Sequence, residues 1–169
     1  MPNDERILET IPNGIVGLIP TKSCTDMGAK VDQFLTTWRE HREHEHQHDA
    51  AFKDYHKETY VIPVSNPRFG SGEAKCVINK SIRGLDLYIL VDVTNWSQTY
   101  KLCGFENHMS PDDHYADLKR IIAACSGKAR RITVIMPFLY ESRQHKRSAR
   151  ESLDCAVALQ ELVAMGVDN

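Results

Sequence analysis

The sequence predicts an α/β layer structure with a largely parallel central sheet. Short apolar runs alternate with segments of helical periodicity along the 169 residues, and this alternation is typical of parallel strands joined by helices. The strongest apolar runs lie at residues 14–20, 85–93 and 131–138. The last run consists largely of β-branched and other apolar side chains, which is the pattern of a strand buried on both faces.

Composition limits the classes of protein to which the chain can belong. A hydrophobic fraction of 41%, a charged fraction of 26% and a formal net charge of −2 are ordinary for a soluble globular domain and give no general affinity for nucleic acid. The five cysteines include no CxxC pair, so we expect reduced thiols in a cytoplasmic protein. No apolar run approaches the roughly 20 residues that a membrane span needs. We expect a polar lead-in at residues 1–13, without a signal peptide, and one domain at 14–169.

The domain should begin with a strand and a helix. Residues 14–20 predict the strand, and the turn and capping residues at 21–26 precede the helix. Side chains at helical spacing predict its apolar face, namely Met27, Val31, Phe34, Leu35 and Trp38. The histidine-rich segment that follows, at about 39–58, is interpreted as an insertion.

The middle of the chain carries shorter predicted elements. Residues 60–64 predict a strand, and the proline and glycines of 65–73 mark a turn. Residues 75–80 and 85–93 are predicted to form a short hairpin-like pair through the Arg-Gly turn between them. Residues 94–110 show no clear period and are interpreted as an irregular insertion.

Two helices complete the prediction. Ser110 as N-cap, Pro111 in the first position and carboxylates in the first turn indicate a helix that runs to about Cys125. A last helix is predicted at about 148–165, and Gly166 is well suited to end it. The chain then stops where a further strand is expected, so we expect a domain truncated before its last strand.

Two loops could bind a ligand. The segment after the last predicted strand carries a cluster of basic side chains, Arg143, Lys146, Arg147 and Arg150. Because open α/β sheets bind anions at the carboxyl ends of their strands, this loop is a candidate anion site; a solvated basic loop is the alternative. In the loop at 68–73, Phe69 could stack on a nucleobase and Glu73 could accept hydrogen bonds from an amine. A plain turn between strands explains the same residues.

The histidine-rich segment contains a possible metal site. His41, Glu45 and His48 would share a helical face and could chelate a divalent ion. The alternating charges around them are also those of a solvated helix surface, and no cysteine lies in this segment to support a metal site. We therefore predict no specific metal site, and a metal-buffering module stays the least favoured function.

Four segments together resemble the N-terminal domain of ribose-phosphate pyrophosphokinase (PRPP synthetase). Residues 68–73, RFGSGE, are similar to the family's RFSDGE, and residues 81–89, SIRGLDLYI, are similar to SVRGKDVYI. Residues 134–147 and 150–168 correspond to the family's VIPYYGYARQDRK segment and to its following helix. The resemblance implies a phosphoribosyltransferase-like three-layer fold and a homo-oligomer, usually a hexamer. The chain carries no GxxxxGK[ST], GxGxxG or GxSxG motif that would favour another fold family.

The resemblance also implies a function. The family transfers diphosphate from Mg-ATP to ribose 5-phosphate and so makes PRPP for nucleotide biosynthesis, which implies ATP, Mg²⁺ and ribose 5-phosphate as ligands. The implied adenine site lies between Phe69 of one subunit and Arg143 of its neighbour. Ser71, Glu73 and Gln144 would lie beside them.

A regulatory phosphate site is likewise implied, at Ser81, Arg83 and Arg150. Two departures leave an alternative open, because Ser71 and His145 stand where the family has aspartates. The family's metal-binding histidine segment, its acidic glycine-rich loop and its mobile catalytic loop have no counterpart here. We therefore expect a nucleotide-binding and assembly domain without catalytic residues, inactive alone. The alternative is a non-catalytic, regulatory PRPP-synthetase-associated protein.

Overall fold

The computed structural model describes residues 14–45 and 56–169. Its strands are, in chain order, β1 (Val16–Pro20), β2 (Val64–Ser65), β3 (Val77–Ile78), β4 (Asp86–Leu90), β5 (Thr99–Leu102), β6 (Phe105–His108) and β7 (Arg131–Ile135). Its α-helices are α1 (Thr25–Glu45), α2 (Pro111–Cys125) and α3 (Asp154–Ala164), and a short 3₁₀ helix (Lys22–Cys24) precedes α1.

A parallel sheet with the strand order β1-β4-β7 forms the centre of the domain. The predicted strand at 131–138 is present but shorter, since β7 ends at Ile135. The prediction that it is buried on both faces is wrong, because within β7 Ile132 alone is fully buried. The two-sided burial belongs instead to β4, which lies between the other two strands of this sheet.

Side chains that alternate along β4 build two cores on opposite faces of the sheet. Leu87 and Ile89 pack with buried residues of α2 and α3, whereas Leu90 packs with Leu18 and Tyr60 beneath α1. This alternation follows from the period of two in a strand. The helix–sheet–helix arrangement confirms the predicted α/β layer structure.

The helix α1 forms where predicted but buries only part of its predicted apolar face. Val31 and Leu35 pack against the second core. Phe34 and Trp38 are 63% and 66% exposed in the described structure, and Met27 is also exposed. Helical spacing predicted that these five residues share one buried face. The sheet covers only the part of that face that carries Val31 and Leu35.

The short antiparallel pair that the sequence predicts exists, but its partners differ from those predicted. β3 pairs with β2, its predecessor along the chain, while β4 joins the parallel sheet. The segment 94–110 is not irregular, because β5 and β6 form a hairpin within it. Its two-residue turn has positive φ at both Cys103 and Gly104, as a type I′ turn requires.

The termini of α2 agree with the sequence prediction. The Ser110 hydroxyl accepts a hydrogen bond from the Asp113 N–H, and the Asp113 carboxylate accepts one from the Ser110 N–H, which completes a capping box. The helix α3 starts later than predicted, at Asp154. The backbone before it is irregular, and there the Ser148 N–H and hydroxyl donate to Glu151.

Candidate functional site

The loop at residues 68–73 is a tight hairpin tip that holds Phe69 outward. The Phe69 N–H donates to the Glu73 carbonyl at 2.7 Å, and the Gly72 N–H donates to the Phe69 carbonyl at 2.9 Å. Gly72 has φ of +88°. This is a three-residue connection whose last residue is left-handed, a common hairpin form that favours glycine. The Phe69 ring is 54% exposed at this tip.

The polar side chains of the loop lie next to one another. The Ser71 hydroxyl donates to Glu73 Oε2 at 2.9 Å, and both residues are exposed. The loop therefore presents an aromatic face together with a carboxylate whose orientation Ser71 restrains. Such a set can stack on a planar ring and accept hydrogen bonds from it.

Arg68, the first residue of this loop, points inward. Its guanidinium donates to the Gly72 carbonyl at 3.1 Å and to Asp117 of α2 at 3.3 Å. Asp113 lies 3.6 Å away, and the Tyr100 ring of β5 lies 4.3 Å from the guanidinium carbon. Sequence reasoning missed Tyr100 and Asp117, because nothing local connects them to residue 68.

The basic loop after β7 is anchored to α2 through one aromatic side chain. The Tyr140 ring stacks on Tyr115 with centroids 4.2 Å apart, and its hydroxyl donates to Asp112 at 2.8 Å. Burial, followed by the Asp112 contact, raises the pKa of Tyr140. The phenol therefore stays protonated, and able to donate to Asp112, into the alkaline pH range.

Beyond this anchor, Arg143 is exposed and Gln144 is partly buried. The Gln144 N–H donates to the Glu141 carbonyl at 2.8 Å, so a tight turn positions both residues. Gln144 Oε1 is buried and has no hydrogen-bond partner among the described residues. Across residues 14–45 and 56–169, no hydrogen bond or ion pair joins Arg143 or Gln144 to the loop that carries Phe69.

The predicted regulatory residues are only partly brought together. Ser81 and Arg83 line a cavity of about 270 Å³, to which Lys80 and Lys128 also contribute. Its described lining residues include no carboxylate, so the cavity is cationic. Arg150 is exposed and does not line it.

A larger cavity of about 620 Å³ opens outside the carboxyl end of β1. Its wall includes Pro20, Lys22, Met109, Arg68 and Tyr100. Open α/β sheets usually accept ligands at this edge. None of the residues predicted from the sequence to bind a ligand lines it.

The histidine-rich prediction falls largely outside the description, because α1 is described only as far as Glu45. Within the described part of the chain, no group of three His, Cys, Asp or Glu side chains could hold a metal ion. In the same segments, no helix combines the length and apolar character that a membrane crossing requires.

Comparison with known proteins identifies the family. Residues 17–166 match the model of the N-terminal domain of ribose phosphate pyrophosphokinase. Ribose-phosphate pyrophosphokinase 1 of Schizosaccharomyces pombe is 32% identical over 108 residues, which are 63% of this chain and 23% of that protein. Ribose-phosphate pyrophosphokinase of Prochlorococcus marinus is 29% identical over 109 residues, again 63% of this chain and 29% of that protein. The aligned segments thus span about a quarter of these relatives.

A solved structure has the same fold. Phosphoribosylpyrophosphate synthetase from Mycobacterium smegmatis superposes with a TM-score of 0.57 at 20% identity, covering 91% of this chain and 40% of that chain. The predicted phosphoribosyltransferase-like fold is therefore confirmed. Because the family model covers most of the residues from β1 to the end of α3, the chain belongs to the family of ribose phosphate pyrophosphokinase N-terminal domains.

Proposed function

We propose that this domain binds the adenine nucleotide of a ribose-phosphate diphosphokinase, in which diphosphate passes from Mg-ATP to ribose 5-phosphate. The observation that carries the proposal is the exposed Phe69 ring on a hydrogen-bonded hairpin tip, beside Glu73. A loop held in this way presents its ring without losing much conformational freedom on binding. Phosphoryl transfer of this kind depends on such positioning and on charge neutralisation.

The second half of the proposed site is the turn that carries Arg143. A guanidinium can stack on a purine and also interact with phosphate oxygens. No described contact joins this turn to the Phe69 loop, which supports a site shared between two subunits of a homo-oligomer. Mg²⁺ would enter with the nucleotide, bound to its phosphate groups. Catalytic groups would come from outside these 169 residues.

Calorimetric titration of the full-length gene product with Mg-ATP tests this site. Replacing Arg143 by Ala removes a stacked, charge-assisted contact and should weaken binding by about 1.5–3 kcal/mol, roughly 10- to 150-fold. Lys30→Ala, which removes an exposed cation from α1, is the control and should bind like wild type. Equal affinity of all three proteins would remove Arg143 from the site.

A matched pair of aromatic variants tests the other half. Phe69→Ala should weaken Mg-ATP binding, because base–aromatic stacking is worth about 1–3 kcal/mol. Phe34→Ala removes a ring of similar exposure on α1 and should leave the affinity unchanged. If both variants bind like wild type, the hairpin tip does not contact the base.

The cationic cavity supports a second, regulatory role. Lys80, Arg83 and Lys128 surround Ser81 without a compensating carboxylate among the described lining residues, an arrangement that suits a phosphate group. We propose that it binds regulatory inorganic phosphate, with Arg150 reaching it from a neighbouring subunit. Phosphate titration should show weaker binding for Arg83→Ala than for wild type. An unchanged affinity would exclude this cavity.

A non-catalytic regulatory protein is the alternative function. Ser71, which stands where the family has an aspartate, favours this alternative. Its hydroxyl donates a hydrogen bond to Glu73 Oε2, so that oxygen is less available to accept a hydrogen bond from the base. An assay for PRPP formation by the full-length gene product separates the two functions. Nucleotide binding without turnover supports the regulator, and turnover supports the enzyme.

A further inference from the structure

The loop at residues 68–73, called the nucleotide loop below, is contacted by the β5–β6 hairpin at both ends of its tip. At the first end, the Tyr100 ring lies against the Arg68 guanidinium, 4.3 Å from ring centroid to Cζ. The Arg68 side chain is only 10% exposed. A cation–π contact is strongest when the cation is removed from water, so this stacking holds Arg68 in its inward position.

Arg68 in turn stabilises the conformation of the loop through hydrogen bonds. It donates at once to the Gly72 carbonyl and to Asp117, so one guanidinium links the two sides of the tip to α2. These contacts hold the Arg68 guanidinium against both the loop and α2. It acts through the conformation of the loop that it closes.

At the far end of the tip, two further hairpin residues touch the loop. The Cys103 N–H donates to the Gly70 carbonyl at 2.8 Å. The Leu102 side chain fills the space beside Gly72, since a Cβ built there would lie 2.9 Å from Leu102 Cδ1. The neighbours of Phe69 on both sides, Arg68 and Gly70, are therefore each held by the hairpin.

The hairpin and the α2 carboxylates form one unit. β6 ends at His108, the Met109 N–H donates to the Gln98 carbonyl at 2.8 Å, and the N-cap of α2 follows at Ser110. Asp117 is also paired with Arg120 at 2.6 Å. Hydrogen bonds and ion pairs thus connect the loop to both the hairpin and α2.

We propose that Tyr100 is a positioning residue for nucleotide binding, which acts by stacking on Arg68 and so keeps Phe69 in its exposed position. This inference rests on the proposed function of the loop. Loss of the ring lets the tip leave its binding conformation. The apparent dissociation constant then rises by the reciprocal of the fraction of molecules that keep this conformation.

The test compares two variants of the full-length gene product, Tyr100→Phe, which keeps the ring, and Tyr100→Leu, which removes it. The Mg-ATP dissociation constant should rise about five- to tenfold in Tyr100→Leu and less than twofold in Tyr100→Phe. Lys101→Ala, at an exposed position of the same strand, is the control and should match wild type. Tyr100→Met, which also removes the ring, replaces Tyr100→Leu if that variant does not fold.

Hydrogen exchange without nucleotide separates failure of this inference from failure of the proposed function. In Tyr100→Leu the amides of Phe69 and Gly72 should exchange about tenfold faster than in wild type and in Tyr100→Phe. Unchanged exchange, or equal loss of affinity in Tyr100→Phe and Tyr100→Leu, overturns the positioning role. Faster exchange in a protein whose wild type binds no Mg-ATP overturns the proposed function and, with it, any role of Tyr100 in nucleotide binding.

Discussion

Replacing Gly72 by alanine should destabilise the protein through the tip of the nucleotide loop. Gly72 has φ of +88°, a backbone conformation that costs an alanine about 1–2 kcal/mol. The new Cβ would also lie 2.9 Å from Leu102 Cδ1. That atom is the end of a flexible side chain, so we expect Leu102 to move at a cost of about 0.5–1.5 kcal/mol.

A smaller term opposes these two costs. Alanine restricts the unfolded chain more than glycine does, which favours folding by about 0.4–1 kcal/mol. The net loss in the free energy of unfolding should therefore be about 2 kcal/mol. Gly70, two residues earlier, offers a matched control, because its φ is not positive and a Cβ there meets nothing within 4 Å.

Urea denaturation followed by circular dichroism measures this difference. We expect Gly72→Ala to be about 2 kcal/mol less stable than wild type, and Gly70→Ala to lie within about 0.5 kcal/mol of wild type or slightly above it. Equal stabilities of the two alanine variants, at equal denaturant dependence, would refute the conformation assigned to Gly72. Mg-ATP affinity should fall in the same order, since the strain displaces the residues next to Phe69.

Four further predictions concern the helices and the thiols. Ser110→Ala removes the N-cap of α2 and should lower the unfolding free energy by about 1 kcal/mol in urea. Leu118→Ala creates a cavity at a fully buried position and should cost about 2–5 kcal/mol in the same assay. Burial raises the pKa of Cys76 and of Cys125 to about 11 from 9.0, so at pH 8 iodoacetamide should modify the exposed Cys103 before either, as mass spectrometry can show. Because both thiols ionise more readily when unfolded, their stabilising contribution should be complete below pH 9 and lost between about pH 9 and 11.

Matched variants give each of these predictions a control. Ser110→Thr keeps the capping hydroxyl and should restore most of the stability. Leu159→Ala, at an exposed position of α3, should cost much less than Leu118→Ala. Modification of Cys125 at the rate of Cys103 in the folded protein would contradict the burial assigned to it.

Local signals in the sequence were sufficient for the elements whose causes are local. The capping box of α2 depends on Ser110 and Asp113, three residues apart, and both are readable from the chain. The apolar runs that became β1, β4 and β7 indicated strands for a similar reason, although residues 85–93 were expected to pair with 75–80 and not with the parallel sheet. The motif at 68–73 also indicated that Phe69 and Glu73 are accessible to a ligand, because side chains in a tight turn lie at the protein surface.

Contacts between distant segments could not be read in this way. The turn of the β5–β6 hairpin contains Cys103 and Gly104, not the Asn-Gly or Asp-Gly pair that marks a type I′ turn, so the sequence left the segment irregular. The exposure of Phe34 depends on how much of α1 the sheet covers, and helical spacing carries no information on that.

The sequence by itself determined the layer order, the α2 caps and the loops that carry the candidate ligand residues. Only the tertiary structure decided which strand is central, which cations are free and which are used internally. Arg68 and Arg143 are the same residue type in two candidate loops. The Arg68 guanidinium donates a hydrogen bond to Asp117 and stacks on Tyr100, which lie 49 and 32 positions away in the sequence. The Arg143 side chain, in contrast, is exposed. The physical reason is that burial and pairing of a charge depend on side chains brought together by folding, which the neighbouring sequence does not encode.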